Sequence, residues 1–257
     1  ACVSNAANQT AMKSKNLTVE HLWQCERLGT PSVSPDGQWV VVDQTTYSMD
    51  SNESATQLWL YSTDGKVRKQ LTSAGKKNTA PQWSPDGKLI AFCARREGDD
   101  EAQLYVIAPD GGEARRVTTL STGVGSIKWF PDSKRVAAIS WVWPDLKTDA
   151  QQAKRKKEKK DSKVQAKVIE ADNYRYWDSW ICDGTRPHLF EISVASGAAK
   201  DLFAGKPWTL GLGDPGSADY AIAPDGKEII WSQPDEPTRL ISRNTLIALN
   251  LKTRKTR

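Results

Sequence analysis

Several kinds of residue and motif are scarce in this chain of 257 residues. It has no apolar run of about 18 residues, so we expect no membrane-spanning helix. It has only two His, and its four cysteines are never at the C-x-x-C spacing of metal sites. We therefore predict no metal ligand and no cofactor. Separate thiols are the favoured interpretation of the cysteines, with one disulfide left open: Cys2, Cys25, Cys93 and Cys182.

The chain also lacks the short motifs of common catalytic sites. It contains neither the G-x-S-x-G nucleophile elbow nor a P-loop. The glycines of 211–216 are not followed by Lys-Ser/Thr and are interpreted as a loop between repeats. His21 and His188 are interpreted as polar surface or strand-edge residues, and the acids of 99–101 as a solvated loop. We therefore predict no catalytic residue in this chain.

Positive charge is concentrated in one block. The formal net charge is +5, and Lys154–Lys160 contribute much of it. Residues 145–168 carry no strand signal and are interpreted as an inserted charged helix or mobile loop. A basic arm for nucleic acid or anionic lipid would be the functional alternative. Because no aromatic residues alternate with the lysines, we favour a solvated surface insertion and expect no nucleic-acid partner.

A turn of one composition recurs along the chain. The tetrapeptide Ser-Pro-Asp-Gly, or a close variant, has its Asp at positions 36, 86, 132 and 225, and an apolar β-prone run follows each copy. Pro presets φ for the second turn position, Asp can bond nearby backbone, and Gly tolerates positive φ. The spacings are 50, 46 and 93 residues. The last of these equals two repeats, or one repeat with an insertion.

A second signature lies between these turns and completes the repeat. An apolar strand, a polar turn and a strand ending in Leu-Thr or similar residues follow each other at 58–72, 104–118 and 189–203, and again from 246. About four short strands per 40–50 residues are typical of β-propeller blades. An immunoglobulin-like sandwich would not explain the fixed place of the turn. We predict an all-β chain with four propeller blades over residues 16–257 and expect further blades beyond Arg257.

The N-terminal region differs from the repeats. Residues 1–15 are polar and are predicted to be flexible. Thr18 is a plausible N-cap for a short helix, in which Leu22, Cys25 and Leu28 share a helical spacing. Ala1-Cys2 is similar to the end of a bacterial lipobox, whose Cys would carry lipid, and an arbitrary boundary is the alternative.

The most distinctive stretch is Tyr174–Trp180, where aromatic rings flank Arg175 and Asp178. A fixed Arg could recognise a carboxylate, and a fixed acid could recognise a peptide amine. The favoured alternative is an aromatic strand pair packed on a neighbouring blade, with Arg175 and Asp178 paired to each other.

These residues resemble one family. The repeated turns, the leader helix and the charged insertion resemble the propeller of prolyl oligopeptidase-family serine peptidases, in the acylaminoacyl-peptidase and dipeptidyl-peptidase 5 branch. Residues 175–180 and 188–190 are similar to the family pattern Arg-His-Trp-Asp-x-Trp…His-Leu-Phe, with Tyr176 in place of the first His. TolB-type propellers share the turns, so a protein-binding scaffold in the cell envelope is the alternative.

The resemblance implies a two-part serine exopeptidase. A propeller, usually of seven blades, would restrict access of short peptides to a C-terminal α/β-hydrolase domain that carries the catalytic triad and is absent from this chain. Glu170 and Asp178 are candidates for binding the peptide amine, and Arg175 is a further candidate for substrate binding. A periplasmic or secreted bacterial location is expected, with a lipid anchor at Cys2 as a further option. Free strand edges could allow self-association.

Overall fold

The computed structural model describes residues 16–164, 166–239 and 241–257. The predictions for residues 1–15, including the role of Cys2, lie outside the described residues. Antiparallel strands arranged as four successive blades make up most of this part of the chain, so the predicted all-β propeller class is confirmed. The predicted total of seven blades stays a prediction.

The first two blades follow a short helix, α1 (Val19–Gln24). Blade 1 contains β1 (Arg27–Leu28), β2 (Ser32–Val33), β3 (Trp39–Ser48), β4 (Glu53–Ser62) and β5 (Arg68–Gln70). Both β1 and β2 pair with β3, so the first strand of this blade is formed in two pieces. Blade 2 contains β6 (Lys77–Trp83), β7 (Ile90–Arg95), β8 (Gln103–Ala108) and β9 (Gly111–Arg116).

In blade 3 the insertion lies between the second and third strands of the blade. It contains β10 (Gly125–Trp129) and β11 (Arg135–Val142), followed by helix α2 (Asp149–Asp161) and a small hairpin, β12 (Arg175–Tyr176) and β13 (Ser179–Trp180). The blade then resumes with β14 (Arg186–Ser193) and β15 (Ala199–Asp201). The hairpin forms a separate sheet outside the blade.

Blade 4 contains three strands. They are β16 (Tyr220–Ile222), β17 (Glu228–Pro234) and β18 (Asn244–Asn250). After a turn, Thr256 forms a bridge with Leu249, and the Arg257 and Ala248 backbones exchange two hydrogen bonds of 3.0 Å. The last residues thus begin to pair on β18.

Helix α1 is shorter than predicted. Thr18 is the N-cap, as expected, and its hydroxyl accepts a hydrogen bond from the His21 backbone N–H while His21 Nδ1 accepts one from the Thr18 backbone N–H. Cys25 is extended and ends the helix, and Leu28 lies in β1. The helical spacing through Leu28 was therefore a wrong prediction. Strand pairing with β3 determines the conformation there.

The repeated turns share one hydrogen-bond pattern. In the first turn, Asp36 Oδ1 accepts bonds from Ser34 Oγ (2.5 Å) and the Gln38 N–H (3.0 Å), and Ser34 Oγ accepts one from the Trp39 N–H (2.9 Å). The second turn repeats all three bonds with Ser84 and Asp86. Each Asp thus holds the turn that joins the first two strands of its blade.

The same bonds also form in a turn outside the Ser-Pro-Asp-Gly set, the polar turn of 58–72. Between β4 and β5, Asp64 accepts hydrogen bonds from Ser62 Oγ and the Lys66 N–H, and the Val67 N–H donates to Ser62 Oγ. Ser-Thr-Asp-Gly lacks the proline that marked the other copies. The Ser and Asp side chains therefore form these bonds here without a proline.

The hydrophobic core consists of layers between neighbouring blades. Along β7, Ile90 and Phe92 pack with blade 1, whereas Ala91 and Cys93 pack with blade 3. Along β11, Val136 faces blade 2 and Ala137 faces blade 4. Because successive side chains of a strand point to opposite faces, blades 2 and 3 are each buried on both sides.

Three of the cysteines are free thiols, as the favoured interpretation predicted: Cys25, Cys93 and Cys182. Burial raises the pKa of the Cys93 thiol to about 12. Among the described residues, no helix is long and apolar enough to cross a membrane.

The turn carboxylates make stability dependent on pH. The Ser84 hydroxyl is the largest cause that holds the pKa of Asp86 below its usual value of 3.8. A carboxyl with a lowered folded-state pKa stabilises the fold above its unfolded-state pKa and loses this effect as pH falls through the folded-state value. We expect Asp86→Asn to lower the urea unfolding midpoint at neutral pH, and we expect the difference from wild type to shrink as pH falls below the usual carboxyl pKa of 3.8.

The matched control is Asp50→Asn, in the exposed connection between β3 and β4. It should change the urea midpoint less than Asp86→Asn at neutral pH. A difference between Asp86→Asn and wild type that persists undiminished in acid would contradict the role given to the charge.

One glycine permits close approach of blades 2 and 3. Gly197 has φ +73°, and a Cβ there would lie 2.3 Å from the Val117 carbonyl oxygen. Gly205 has φ +68°, but a Cβ would meet nothing within 4 Å. We expect Gly205→Ala to lower the free energy of unfolding by about 1 kcal/mol, because of backbone strain alone. Gly197→Ala should lower it by roughly 1–3 kcal/mol more, because the two blades must also separate. Equal losses in unfolding free energy, measured in urea, would show that the interblade contact is unimportant.

Candidate functional site

The strand order gives the blades two different ends. In an antiparallel blade, the connections after the first and third strands lie at one end, which we call the turn face. The connections after the second strand and between blades lie at the other end, which we call the loop face. The turns at Asp36, Asp86, Asp132 and Asp225 follow first strands and lie on the turn face. Connections 143–185 and 202–219 lie on the loop face.

Helix α2 is anchored on the loop face. Residues 145–168 were predicted as a helix or mobile loop, and the structure has a helix of 13 residues with a capping box at Thr148 and Gln151. The buried Gln152 side chain exchanges two hydrogen bonds with the Trp143 backbone, at 3.0 and 2.9 Å. Lys156 pairs with Glu101 of blade 2. The insertion is thus attached by specific polar contacts, while Lys154, Lys157 and Lys160 are exposed to solvent.

The hairpin β12–β13 exposes its aromatic residues. Arg175 pairs with Trp180 and Tyr176 with Ser179 in the strand register, which leaves Trp177 and Asp178 at the tip. Trp177 is 82% exposed and has φ +50°. The prediction of an aromatic strand pair packed on a neighbouring blade is wrong for these rings, because Tyr174, Tyr176 and Trp180 are exposed too.

The predicted pairing of Arg175 with Asp178 is also wrong. Arg175 Nε donates a hydrogen bond of 2.6 Å to the Trp177 carbonyl oxygen, and its guanidinium lies 5.8 Å from the centre of the Trp180 ring. Asp178 Oδ1 accepts a hydrogen bond of 3.3 Å from Ser179 Oγ. Arg175 therefore supports the hairpin tip, and the Asp178 carboxylate is not neutralised by it.

A cavity of about 620 Å³ lies beside this hairpin. It is lined by aromatic, aliphatic and acidic residues from the insertion, β11 and the 202–219 connection: Trp141, Tyr176, Trp177, Asp178, Ser179, Trp180, Ile181, Thr185, Leu212 and Asp214. This size is typical of small-ligand sites, and polar and apolar groups contribute about equally to the lining. The cavity is the candidate functional site.

The 202–219 connection contributes a second carboxylate. Asp214 has φ +58°, a conformation that Asp tolerates better than most residues. The adjacent Gly213 allows close approach of the hairpin, because a Cβ there would lie 3.1 Å from Tyr176. The interpretation of 211–216 as a loop between blades is confirmed. Asp214 itself was missed, since only three-dimensional proximity links it to Asp178.

The three predicted substrate-binding residues occupy different positions. Asp178 lines the cavity, Arg175 lies in the supporting strand, and Glu170 is exposed in the segment before the hairpin. Glu170 and Arg175 are not among the residues that line the cavity.

A second cavity of about 480 Å³ lies on the turn face between blades 1 and 2. Trp39 and Trp83 line it together with the carboxylates of Asp36 and Asp86. Both carboxylates accept hydrogen bonds within their own turns. Their role there is structural, so the loop-face cavity is the better candidate for ligand binding.

His188 is buried, which overturns its interpretation as a surface or strand-edge residue. It is 1% exposed, and its Nδ1 lies 2.8 Å from Asp201 Oδ2. In blades 1 and 2 the corresponding residues are Gln57 and Gln103, which accept hydrogen bonds from Thr72 and Thr118. In blade 3 the Thr position is occupied by Phe203, whose ring lies 5.5 Å from the His188 ring. His188 thus replaces a structural Gln.

Asp99 is also buried, so its interpretation as part of a solvated loop is wrong. Its carboxylate accepts hydrogen bonds from Tyr105 Oη (2.6 Å), Arg116 (2.6 Å) and the Arg96 backbone N–H (3.0 Å). Burial, followed by the bond to Asp99, raises the pKa of Tyr105 to about 12. This cluster holds the connection after β7 in place.

The His188 interpretation can be tested by restoring the pair found in blades 1 and 2. His188→Gln and Phe203→Thr should each destabilise the protein by about 1–3 kcal/mol or more, because each leaves a mismatched buried group. The loss of unfolding free energy in the double variant should be smaller than the sum of the two single losses by at least ~0.5 kcal/mol, since Gln and Thr can form a hydrogen bond with each other. Strict additivity of the unfolding free energies would contradict this interpretation.

The blades, their turns and the inserted hairpin define a β-propeller chain with a cavity on its loop face. Residues 16–166 match the family described as PD40, the TolB beta propeller domain. The chain belongs to this family.

Similar proteins include peptidases. The chain is 34% identical over 233 residues to dipeptidyl-peptidase 5 of Porphyromonas endodontalis. The alignment covers 89% of this chain and 32% of that protein. It is 29% identical to dipeptidyl-peptidase 5 of Porphyromonas gingivalis, in an alignment that covers 85% of this chain and 31% of that protein. The chain therefore spans about a third of the length of these relatives. They confirm the resemblance to the propeller part of prolyl oligopeptidase-family peptidases.

Solved structures show the same fold. The acylaminoacyl peptidase of Pyrococcus horikoshii matches with a TM-score of 0.63 at 16% identity, covering 92% of this chain and 32% of that chain. The propeller domain of the Trilobed protease of Pyrococcus furiosus matches with a TM-score of 0.52 at 12% identity, covering 90% of this chain and 56% of that chain.

Proposed function

We propose that this chain is the propeller portion of a serine exopeptidase and that its loop-face cavity binds the free amino end of short peptides. The relatives named dipeptidyl-peptidase 5 support the peptidase class. The observation that carries the assignment to the cavity is that Asp178 and Asp214 line an aromatic cavity together. A peptide ammonium is the cation that such carboxylates can bind by charge-assisted hydrogen bonds.

In this proposal Asp178 is the principal amine-binding residue and Asp214 adds a second acceptor. Arg175 supports the tip through its bond to Trp177, so we assign it a positioning role. The substrate-binding role of Glu170 stays a prediction. Catalysis would be carried out by a C-terminal α/β-hydrolase domain, with the propeller limiting access to short peptides. We therefore propose that residues 16–257 form a partial propeller domain with a lysine-rich insertion at 145–168.

We propose a periplasmic or secreted location in a bacterium, for which membership of the TolB propeller family gives support. A lipid anchor at Cys2 and self-association through strand edges stay predictions.

The proposal is tested with the full-length protein and chromogenic dipeptidyl or aminoacyl substrates. Asp178→Asn should lower kcat/KM about tenfold to a hundredfold, mainly by raising KM, because it removes a charged partner of the substrate amine. The loss should be smaller for N-acetylated substrates, which lack the ammonium group.

The control variant is Asp50→Asn, also an exposed acid on the loop face, but in blade 1 and outside the cavity. It should leave KM close to wild type. Equal losses for free and acetylated substrates would show that Asp178 does not bind the amine.

The alternative is a TolB-type scaffold that binds proteins in the cell envelope. The match of residues 16–166 to the TolB propeller family supports it. A full-length protein that neither cleaves these substrates nor reacts with serine-directed inhibitors would support the scaffold and contradict the peptidase.

A further inference from the structure

The Trp177 backbone is held in an unfavourable conformation. Its φ of +50° lies in the left-handed region, where a bulky side chain is a genuine outlier. Such strain persists only where surrounding structure imposes it, and it is concentrated at binding sites. Glycine or asparagine would fit this tip with less strain, so the tryptophan side chain itself requires an explanation.

The surrounding contacts explain how the strain is maintained. Strands β12 and β13 pair up to Tyr176 and Ser179, which leaves only two residues to reverse the chain. Arg175 Nε then donates a 2.6 Å hydrogen bond to the Trp177 carbonyl oxygen and fixes the tip. The strain is therefore set by the hairpin and by Arg175.

Packing does not explain the side chain. Trp177 is 82% exposed, the highest exposure among the described aromatic residues. An indole that remains in water contributes little burial to folding. It does line the loop-face cavity beside Trp180 and Trp141. A large ring presented to a cavity at a cost in backbone strain is explained by contact with a ligand.

We infer that Trp177 determines specificity by stacking on the side chain of the first residue of the bound peptide. This inference rests on the proposed function. Asp178, the next residue in the chain, would hold the ammonium group of that same peptide residue. The ring and the carboxylate are adjacent, so one peptide residue can meet both. Aromatic and large aliphatic first residues should be favoured over glycine.

The test compares two substrates that differ only in the first residue, Phe or Gly, with the full-length protein. Wild type should prefer the Phe-first substrate by roughly tenfold in kcat/KM. Trp177→Gly should reduce this ratio toward about one, because the loss falls mainly on the Phe-first substrate. Trp177→Phe should retain most of the preference.

Thermal unfolding separates a binding role from a structural one. Since glycine accepts positive φ, Trp177→Gly should unfold at a temperature no lower than wild type. A lower Tm together with equal losses on both substrates would make Trp177 a structural residue and overturn the inference. An unchanged Phe-to-Gly ratio in Trp177→Gly would overturn it as well.

Direct binding keeps this inference separate from the proposed function. The dipeptides Phe-Ala and Gly-Ala are titrated into the same proteins and followed by calorimetry. Tighter binding of Phe-Ala to wild type, lost in Trp177→Gly, supports the role of Trp177 even if no substrate is cleaved. Equal affinities for the two dipeptides would overturn it even if the protein proves to be a peptidase.

Discussion

The hydrogen bonds accepted by the aspartates in the repeated turns are the interaction on which the blades depend. Each carboxylate closes the turn between the first two strands of a blade, and closing that turn fixes the register of the strand pair. Register in turn decides which side chains face which neighbour. In blade 2, a slip by one residue would exchange Ile90 and Phe92 with Ala91 and Cys93. Both interblade layers would then lose their fit, so a surface carboxylate controls the packing of two cores.

The third turn shows how much variation this arrangement tolerates. Phe130 replaces the Ser, and Ser133 occupies the glycine position with φ +55°. Asp132 still accepts hydrogen bonds from the Lys134 and Arg135 N–H groups, and the Arg135 side chain donates to its second oxygen. Ser133 Oγ also accepts a bond from the Asp86 N–H, which links two neighbouring turns. Strain at one position is thus compensated by contacts between blades.

The sequence was informative where structure depends on local, repeated patterns. The turns and the blades could be predicted because each copy has an Asp that accepts hydrogen bonds within a few residues. The errors concern residues whose environment is set by distant partners. Asp99 is buried because Arg116 and Tyr105 reach it from neighbouring strands, and His188 is buried against Asp201. Nothing local to Trp177 indicates its positive φ, and nothing near Asp214 in the chain indicates that it shares a cavity with Asp178.

The location of the candidate site follows from how the polar groups of the two faces are used. On the turn face, the aspartates at 36 and 86 and the serine hydroxyls bonded to them are occupied by bonds that build the blades. A ligand there would compete with the hydrogen bonds that stabilise the turns. On the loop face, Asp178 accepts one long bond of 3.3 Å from its neighbour, and the hairpin that carries it forms no part of any blade. The blades supply rigidity at one end, which lets the insertion at the other end keep a strained aromatic tip and an uncommitted carboxylate available for a ligand.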